Sequence, residues 1–222
     1  MIKAEHPIEV EIIPADLTMD DQMRRVEKRI AEGPALTLLI NNAGFGGYMP
    51  FIDLDIDRAE ELISIQVLAV TRLTRAALPL MIAAGSGSIV NVSSRVAFSG
   101  ALPSPPLPKR ATYAASKAYV NMFTQLLANE LEGTGVRVQA LCPGVVRTEF
   151  HQVVGIDQSS YPSHIVMSPE DVVTASMAGL ERGEVICVPA LEEAGLLTRI
   201  EDAQRQFFEQ TRTGTLAQRY RA

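Results

Sequence analysis

The feature that most constrains this chain is an alternation of two kinds of segment. Short, nearly continuous apolar runs are separated by longer stretches whose apolar residues recur every three or four positions. Runs of the first kind suit strands buried on both faces, as happens when helices cover both sides of a parallel sheet. Stretches of the second kind suit helices with one apolar stripe. The strand-like runs are Ile8–Ile13, Ala35–Ile40, Ser88–Val92, Val136–Leu141 and Glu184–Val188. Strand and helix in alternation predict an α/β fold around a mostly parallel sheet. With 222 residues, 47% of them hydrophobic, the chain is long enough for one domain over 1–222.

The helical stretches carry their own start and stop signals. The first is predicted to open at Thr18, with Asp21 three residues on and Met23, Val26 and Ile30 on one face, and to stop near Gly33-Pro34. A second carries Leu62, Ile65, Ala69, Leu73, Ala76 and Leu80 up to Gly85, with Pro79 in its last turn. A third, from about Thr112 to Glu132, shows Val120, Phe123, Leu127 and Leu131. Ser168-Pro169-Glu170-Asp171 announces a fourth: a capping hydroxyl, proline at the first helical position and two acids in the first turn. A last amphipathic segment bears Leu196, Ile200, Ala203 and Phe207.

Composition excludes several classes of function. A net charge of −6 and a pI of about 5.2, with no basic run, argue against nucleic acid as a partner. No stretch reads as a membrane span and the start lacks the order of a secretory signal, so the expectation is a cytoplasmic protein with no membrane partner. Cys142 and Cys187 lack CxxC spacing, and His6, His151 and His164 are scattered, so no metal site is expected.

The candidate chemistry gathers where three strand-like runs end, the place where open parallel sheets put their ligand crevice. Asn41-Asn42-Ala43-Gly44 follows the second run and Ser93-Ser94 the third. Tyr113-Ala114-Ala115-Ser116-Lys117 lies on the next helix, where a spacing of four puts tyrosine and lysine on one face. A free phenol ionises near about 10, so a neighbouring ammonium is expected to tune Tyr113 downward. Asn-Asn-Ala-Gly alone is an ordinary turn, and Gly44-Phe45-Gly46-Gly47 has no helix start behind it to make a phosphate loop. Order and context give these weak signals their weight.

In that order, followed by Pro143-Gly144-Val145-Val146-Arg147-Thr148, the chain resembles the short-chain dehydrogenase/reductase family from about Ile8 to Val188. The resemblance implies a Rossmann-like three-layer sandwich and an oxidoreductase that uses NAD or NADP. It implies hydride transfer between the nicotinamide and a ketone or secondary alcohol. Tyr113 would exchange the proton, Ser94 would hold the substrate oxygen, and Lys117 would also bind the nicotinamide ribose. Asp16 and Leu17 would contact adenine, and Asn42, Ala43 and Gly44 the adenine ribose. Pro143, Gly144, Val146 and Thr148 would meet the nicotinamide carboxamide and nearby phosphate. Gln66 falls where the family places a catalytic asparagine, one methylene shorter. A homo-oligomer through the Tyr113 helix and the Ser168 helix is expected.

The departures are specific. Relatives open with a strand, a Thr-Gly-x-x-x-Gly-x-Gly turn, a helix and a second strand, whereas this sequence begins just before the family's third strand. The expectation is therefore a fold N-terminally truncated by two strands and the glycine-rich loop. Ile8–Ile13 would then pair with Ala35–Ile40 or with a partner chain. Ser94 and Tyr113 stand nineteen positions apart (113 − 94), farther than in most relatives, across the proline-rich segment Leu102–Pro108. With Phe98, Leu102 and Leu107, that segment is expected to wall the substrate site. Phe150, Val153, Val154, Tyr161, Ile165 and Met167 of the following lid suggest an apolar substrate, with His151 and Gln152 as polar contacts. The alternative is a non-catalytic remnant or interaction subunit that no longer binds cofactor.

Overall fold

The computed structural model describes residues 8–105, 107–148, 150 and 161–221. The chain divides into two compact units, Met1–Pro189 and Ala190–Ala222, where the sequence suggested one domain over 1–222. The second holds a helix, α6 (Gly195–Gln210), which carries the expected Leu196, Ile200, Ala203 and Phe207, and a short turn of 3₁₀ helix, Gln218–Tyr220.

The first unit is built on four parallel strands in the order β1 (Leu38–Asn41), β2 (Gly87–Val92), β3 (Val136–Leu141) and β6 (Ile186–Cys187). In register, Leu38 lies beside Ser88, Gly87 beside Val136, and Leu141 beside Cys187. A small parallel pair, β4 (Val145–Val146) and β5 (Val166–Met167), stands apart from it. Strand alternation explains why the runs are apolar throughout. Ile89, Val136 and Val138 pack with Ala77 and Met81 of α3 (Ala69–Ala84) and with Leu127 of α4 (Ala111–Glu130). Val90 and Leu141 face the other way and pack with Val172 and Leu180 of α5 (Pro169–Glu181). The result is the Rossmann-like three-layer arrangement expected, with helices on both faces of a parallel sheet.

Sequence signals and structure agree closely at α5, where Ser168 accepts from the Asp171 N–H at 3.1 Å and Pro169 opens the helix. They part at α1 (Asp20–Glu32). Thr18 does not cap it; the Thr18 N–H and hydroxyl both donate to Asp16, at 2.9 and 2.7 Å, in a tight turn that leaves Met19 at the helix start. Its apolar face still docks: Met23 packs with Ala69 and Leu73, flanked by Leu17, Val26 and Ile30. Arg72 of α3 fastens the same contact, pairing with Glu27 at 2.6 Å and Asp20 at 2.7 Å.

Ile8–Ile13 forms no strand, and no pairing joins it to β1. Ile8 and Ile12 are exposed, and the segment is tied to α1 by Arg29–Glu11 and Arg25–Pro14 contacts instead. β-propensity made it look like a strand, but a strand needs a partner, and these residues follow α1 rather than the edge of β1.

The long second helix is not continuous either. α2 (Ile56–Ile63) passes into a π turn, Ser64–Leu68, before α3 begins. The wider turn accommodates one extra residue. Leu62, Ala69 and Leu73 are buried as expected, whereas Gln66, Ala77 and Met81 are buried in place of the expected Ile65, Ala76 and Leu80. Ile56–Ala84 as a whole is long and apolar enough to cross a membrane, which the sequence reading overlooked. Here its buried residues, Leu62, Ala69, Leu73, Ala77 and Met81, form part of the core.

Candidate active site

A cavity of about 710 Å³ opens at the carboxyl ends of β1, β2 and β3. Asn42 and Gly44 reach it from the turn after β1, Ser93 and Ser94 from the end of β2, and Pro143 and Gly144 from the end of β3. Tyr113 and Lys117 come from α4, Val146, Thr148 and Phe150 from the segment beyond, and Val172, Val173, Ser176 and Met177 from α5.

A buried polar ladder fixes the strand ends. The Asn41 amide donates to Asn91 Oδ1 at 2.8 Å and to Thr74 Oγ1 at 3.1 Å. Asn91 in turn donates to Thr124 Oγ1 at 3.0 Å, so β1, β2, α3 and α4 share one register. These bonds favour a single arrangement, although the buried Asn41 Oδ1 has no hydrogen-bond partner among the described residues. The Ser93 hydroxyl donates to the Lys117 carbonyl at 2.9 Å and pins α4 to β2. Ser94 turns instead to the Tyr113 phenol, and its hydroxyl also accepts from the Val96 N–H at 3.3 Å.

Burial dominates the electrostatics. It pushes the Tyr113 phenol above its ordinary value, while hydrogen bonding with Tyr48 and Ser94 pulls the other way. Burial also brings the Lys117 ammonium down to about 8. The Lys117 ammonium donates to the Val92 carbonyl at 2.9 Å and lies 5.8 Å from the centre of the Tyr113 ring. The expectation that Lys117 tunes Tyr113 downward therefore needs correcting: in this structure desolvation raises the phenol, and the two neighbouring hydroxyls oppose it. An ammonium carries three N–H bonds, so two beyond the Val92 contact can serve a ligand.

The cavity does not take in every residue that the sequence singled out. Gln66, 1% exposed, is turned away from it. Its amide donates to the Phe45 carbonyl and accepts from the Ser116 hydroxyl at 3.0 Å, so it braces the turn after β1 from behind. Ala43 is exposed and does not line the cavity. Asp16 and Leu17 lie away from it as well. Asp16 is an exposed acid held below its usual range by hydrogen bonds from Thr18, and Leu17 packs against the Met23 cluster. The strand that should have delivered them to the sheet edge is not formed.

The proline-rich segment walls a different hollow, in which Leu102 and Ser104 face Met49, Phe51, Val96 and the alanine face of α4. Arg110, buried at the start of α4, draws it there. Its guanidinium donates to the Ser99 hydroxyl at 2.8 Å and to the carbonyls of Pro108, Ser99 and Leu102 at 2.9, 3.0 and 3.2 Å. Pro106 and the lid residues His151, Gln152, Val153 and Val154 lie outside the described residues, as does His6. Among the described residues no cluster of His, Cys, Asp or Glu could hold a metal. Sequence reasoning missed Tyr48, whose ring lies 5.0 Å from that of Tyr113 and which lines the cavity. Two glycines ahead of an aromatic residue, a few positions past a strand end, were the signal available.

Known proteins show the same pattern. The chain matches the family model of short chain dehydrogenases over residues 1–159. It is 32% identical over 178 residues to an uncharacterized oxidoreductase of Myxococcus xanthus, covering 80% of this chain and 64% of that protein. It is 34% identical over 156 residues to the very-long-chain 3-oxoacyl-CoA reductase of Mus musculus, covering 68% of this chain and 48% of that one. The chain thus spans about half to two thirds of the length of these curated relatives. Among solved structures, a short-chain dehydrogenase from Sphingobium yanoikuyae in complex with NADPH superposes with a TM-score of 0.90 at 33% identity, covering 99% of this chain and 83% of that one. A bulky-bulky ketone specific alcohol dehydrogenase from Comamonas testosteroni gives a TM-score of 0.86 at 30% identity, with coverages of 100% and 82%.

Proposed function

The chain belongs to the short chain dehydrogenase family, and on that footing we propose that it is an NAD(P)-dependent oxidoreductase acting on a ketone or secondary alcohol. One observation carries the reading: the hydroxyls of Ser94 and Tyr113 and the ammonium of Lys117 open into a single cavity above the strand ends.

The residues present suit the nicotinamide–ribose end of such a cofactor. Lys117 offers N–H donors to ribose hydroxyls, and Gly144 beside Val146 and Thr148 gives close backbone approach and a polar contact for a carboxamide. The bound nicotinamide would supply or accept hydride at the substrate carbon. Everything else falls to the protein. In reduction, Tyr113 gives its proton to the carbonyl oxygen, and Ser94 donates a hydrogen bond to that oxygen as charge develops on it. Raised by burial, the phenol stays protonated at neutral pH and is ready to donate. In oxidation the same groups work in reverse. Val92, Leu141, Val146, Phe150, Val172 and Met177 around the cavity support an apolar substrate.

A homo-oligomer and a cytoplasmic location belong to the same proposal. The exposed Tyr119, Met122 and Leu126 of α4 support the first. Two free thiols, Cys142 and Cys187, suit a reducing compartment.

Titration with NADPH and NADH, followed by nicotinamide fluorescence, tests the proposal. The expected result is saturable binding of at least one nucleotide, weakened at least about tenfold by Lys117→Ala, the scale of one lost charge-assisted hydrogen bond. Binding of neither nucleotide would favour the non-catalytic alternative.

A further inference from the structure

Tyr48 reaches the reaction centre along a path built for it. After β1 the chain runs through residues 42–47 without regular structure, and three contacts seat that run. Gln66, displaced inward by the π turn, donates its amide to the Phe45 carbonyl. Ser116, one helical turn from Tyr113, shares its hydroxyl between Gln66 at 3.0 Å and the Tyr113 carbonyl at 2.8 Å. The Arg58 guanidinium lies 3.6 Å over the Phe45 ring. Gly47 then passes so close to the helices that a Cβ there would stand 2.8 Å from Leu62 and 3.9 Å from Tyr113. Any larger residue there would have to displace the end of the buried Leu62 side chain, so glycine gives the closest approach. The next residue is Tyr48, its ring tilted 53° to that of Tyr113 and facing the same cavity.

We propose that Tyr48 is a positioning residue for the Tyr113 phenol, its hydroxyl serving as hydrogen-bond donor to the Tyr113 oxygen when Tyr113 hands its proton to a substrate carbonyl oxygen. The inference rests on the oxidoreductase reading and deepens it. In that step the Tyr113 O–H bond breaks and a new O–H bond forms on the substrate, while Tyr48 keeps its own proton. Electrostatics favour this division of labour. Burial holds the Tyr48 phenol well above the ordinary range, reinforced by Tyr113 and Tyr161 and opposed by Arg95, so Tyr48 remains protonated while Tyr113 ionises. Among the described residues, Ser94, the Lys117 ammonium at 5.8 Å and the Phe150 ring at 6.2 Å also face Tyr113. Ser94 must also serve the substrate, and Lys117 is committed in part to Val92. Tyr48 adds a second hydroxyl, beside that of Ser94, to stabilise the phenolate.

Tyr48→Phe removes the donor and keeps the ring. In alcohol oxidation, where Tyr113 must be ionised to accept the proton, the rising limb of the kcat profile is expected to move up by about one pH unit. The rate then falls about tenfold below that limb and converges with the parent at high pH. A uniform loss at every pH, or an unmoved limb, overturns the proposal. A second readout is independent of turnover: ¹³C NMR of protein labelled at the tyrosine Cζ, with the Tyr113 signal assigned through Tyr113→Phe. Its ionisation moves to higher pH in Tyr48→Phe, and an unchanged ionisation refutes the role of Tyr48. No nicotinamide-dependent turnover by the parent would instead remove the oxidoreductase reading, while the NMR titration still decides whether Tyr48 holds Tyr113.

Discussion

Tyr113→Phe is expected to lower kcat by about 10²–10⁴-fold, the usual contribution of a positioned proton exchanger, while leaving nucleotide binding within about twofold. The substitution removes one oxygen and keeps the ring that packs 5.0 Å from Tyr48 and 6.2 Å from Phe150. Its effect on folding is therefore small, with Tm within about 3 °C of the parent. Steady-state kinetics and thermal unfolding on the same sample separate the two quantities. A loss of fold alongside the loss of rate would mean that the phenol is structural.

Lys117→Met is expected to weaken nucleotide binding by at least about tenfold and yet stabilise the chain. Burial lowers the lysine from 10.5 to about 8, so below pH 8 the folded state carries an ammonium that it holds less well than the unfolded chain does. The difference corresponds to about 3 kcal/mol, and loss of the bond to the Val92 carbonyl returns about 1 kcal/mol of that. A net gain of about 2 kcal/mol at pH 6–7, about 4–8 °C in Tm, follows. Between about 8 and 10.5 the unfolded lysine still binds a proton that the folded one has released, so the parent gains stability as pH rises. The advantage of the variant is therefore full below about pH 8 and gone above about 10.5. Denaturant unfolding of both proteins across that range checks it; a variant less stable at pH 7 would mean that the buried ammonium contributes more through its contacts than it costs in desolvation.

The balance between function and fold at Lys117 also shows where the sequence spoke clearly. Local signals sufficed wherever local chemistry decides the outcome. Ser168-Pro169-Glu170-Asp171 caps α5 as its residue types require, and β2 and β3 run where doubly buried apolar segments must run. Tyr113 and Lys117 meet one cavity because four residues make about one helical turn. Readings failed where distant parts of the chain decide. The π turn at Ser64–Leu68 carries Gln66, whose bonds to Phe45 and Ser116 no periodicity encodes. Ile8–Ile13 has the composition of a strand, yet it pairs with no strand and Glu11 joins Arg29 of α1 instead. Arg110 moved the proline-rich segment into a separate hollow through four hydrogen bonds that only the folded backbone brings within reach. Tyr48 stayed hidden because it acts from a loop, where position depends on the glycine and glutamine that seat it rather than on spacing.

The claim on which the account turns is that this cavity moves hydride with Tyr113 as its proton partner. Incubation of the chain with NADPH and NADH that carry deuterium at both positions of the nicotinamide C4, and an apolar ketone, tests it, with mass spectrometry of the alcohol formed. Hydride transfer in this cavity gives an alcohol one deuterium heavier at the carbinol carbon from one or both nucleotides, and none above background from Tyr113→Phe. Unlabelled alcohol, or equal labelling by the parent and Tyr113→Phe, would contradict it.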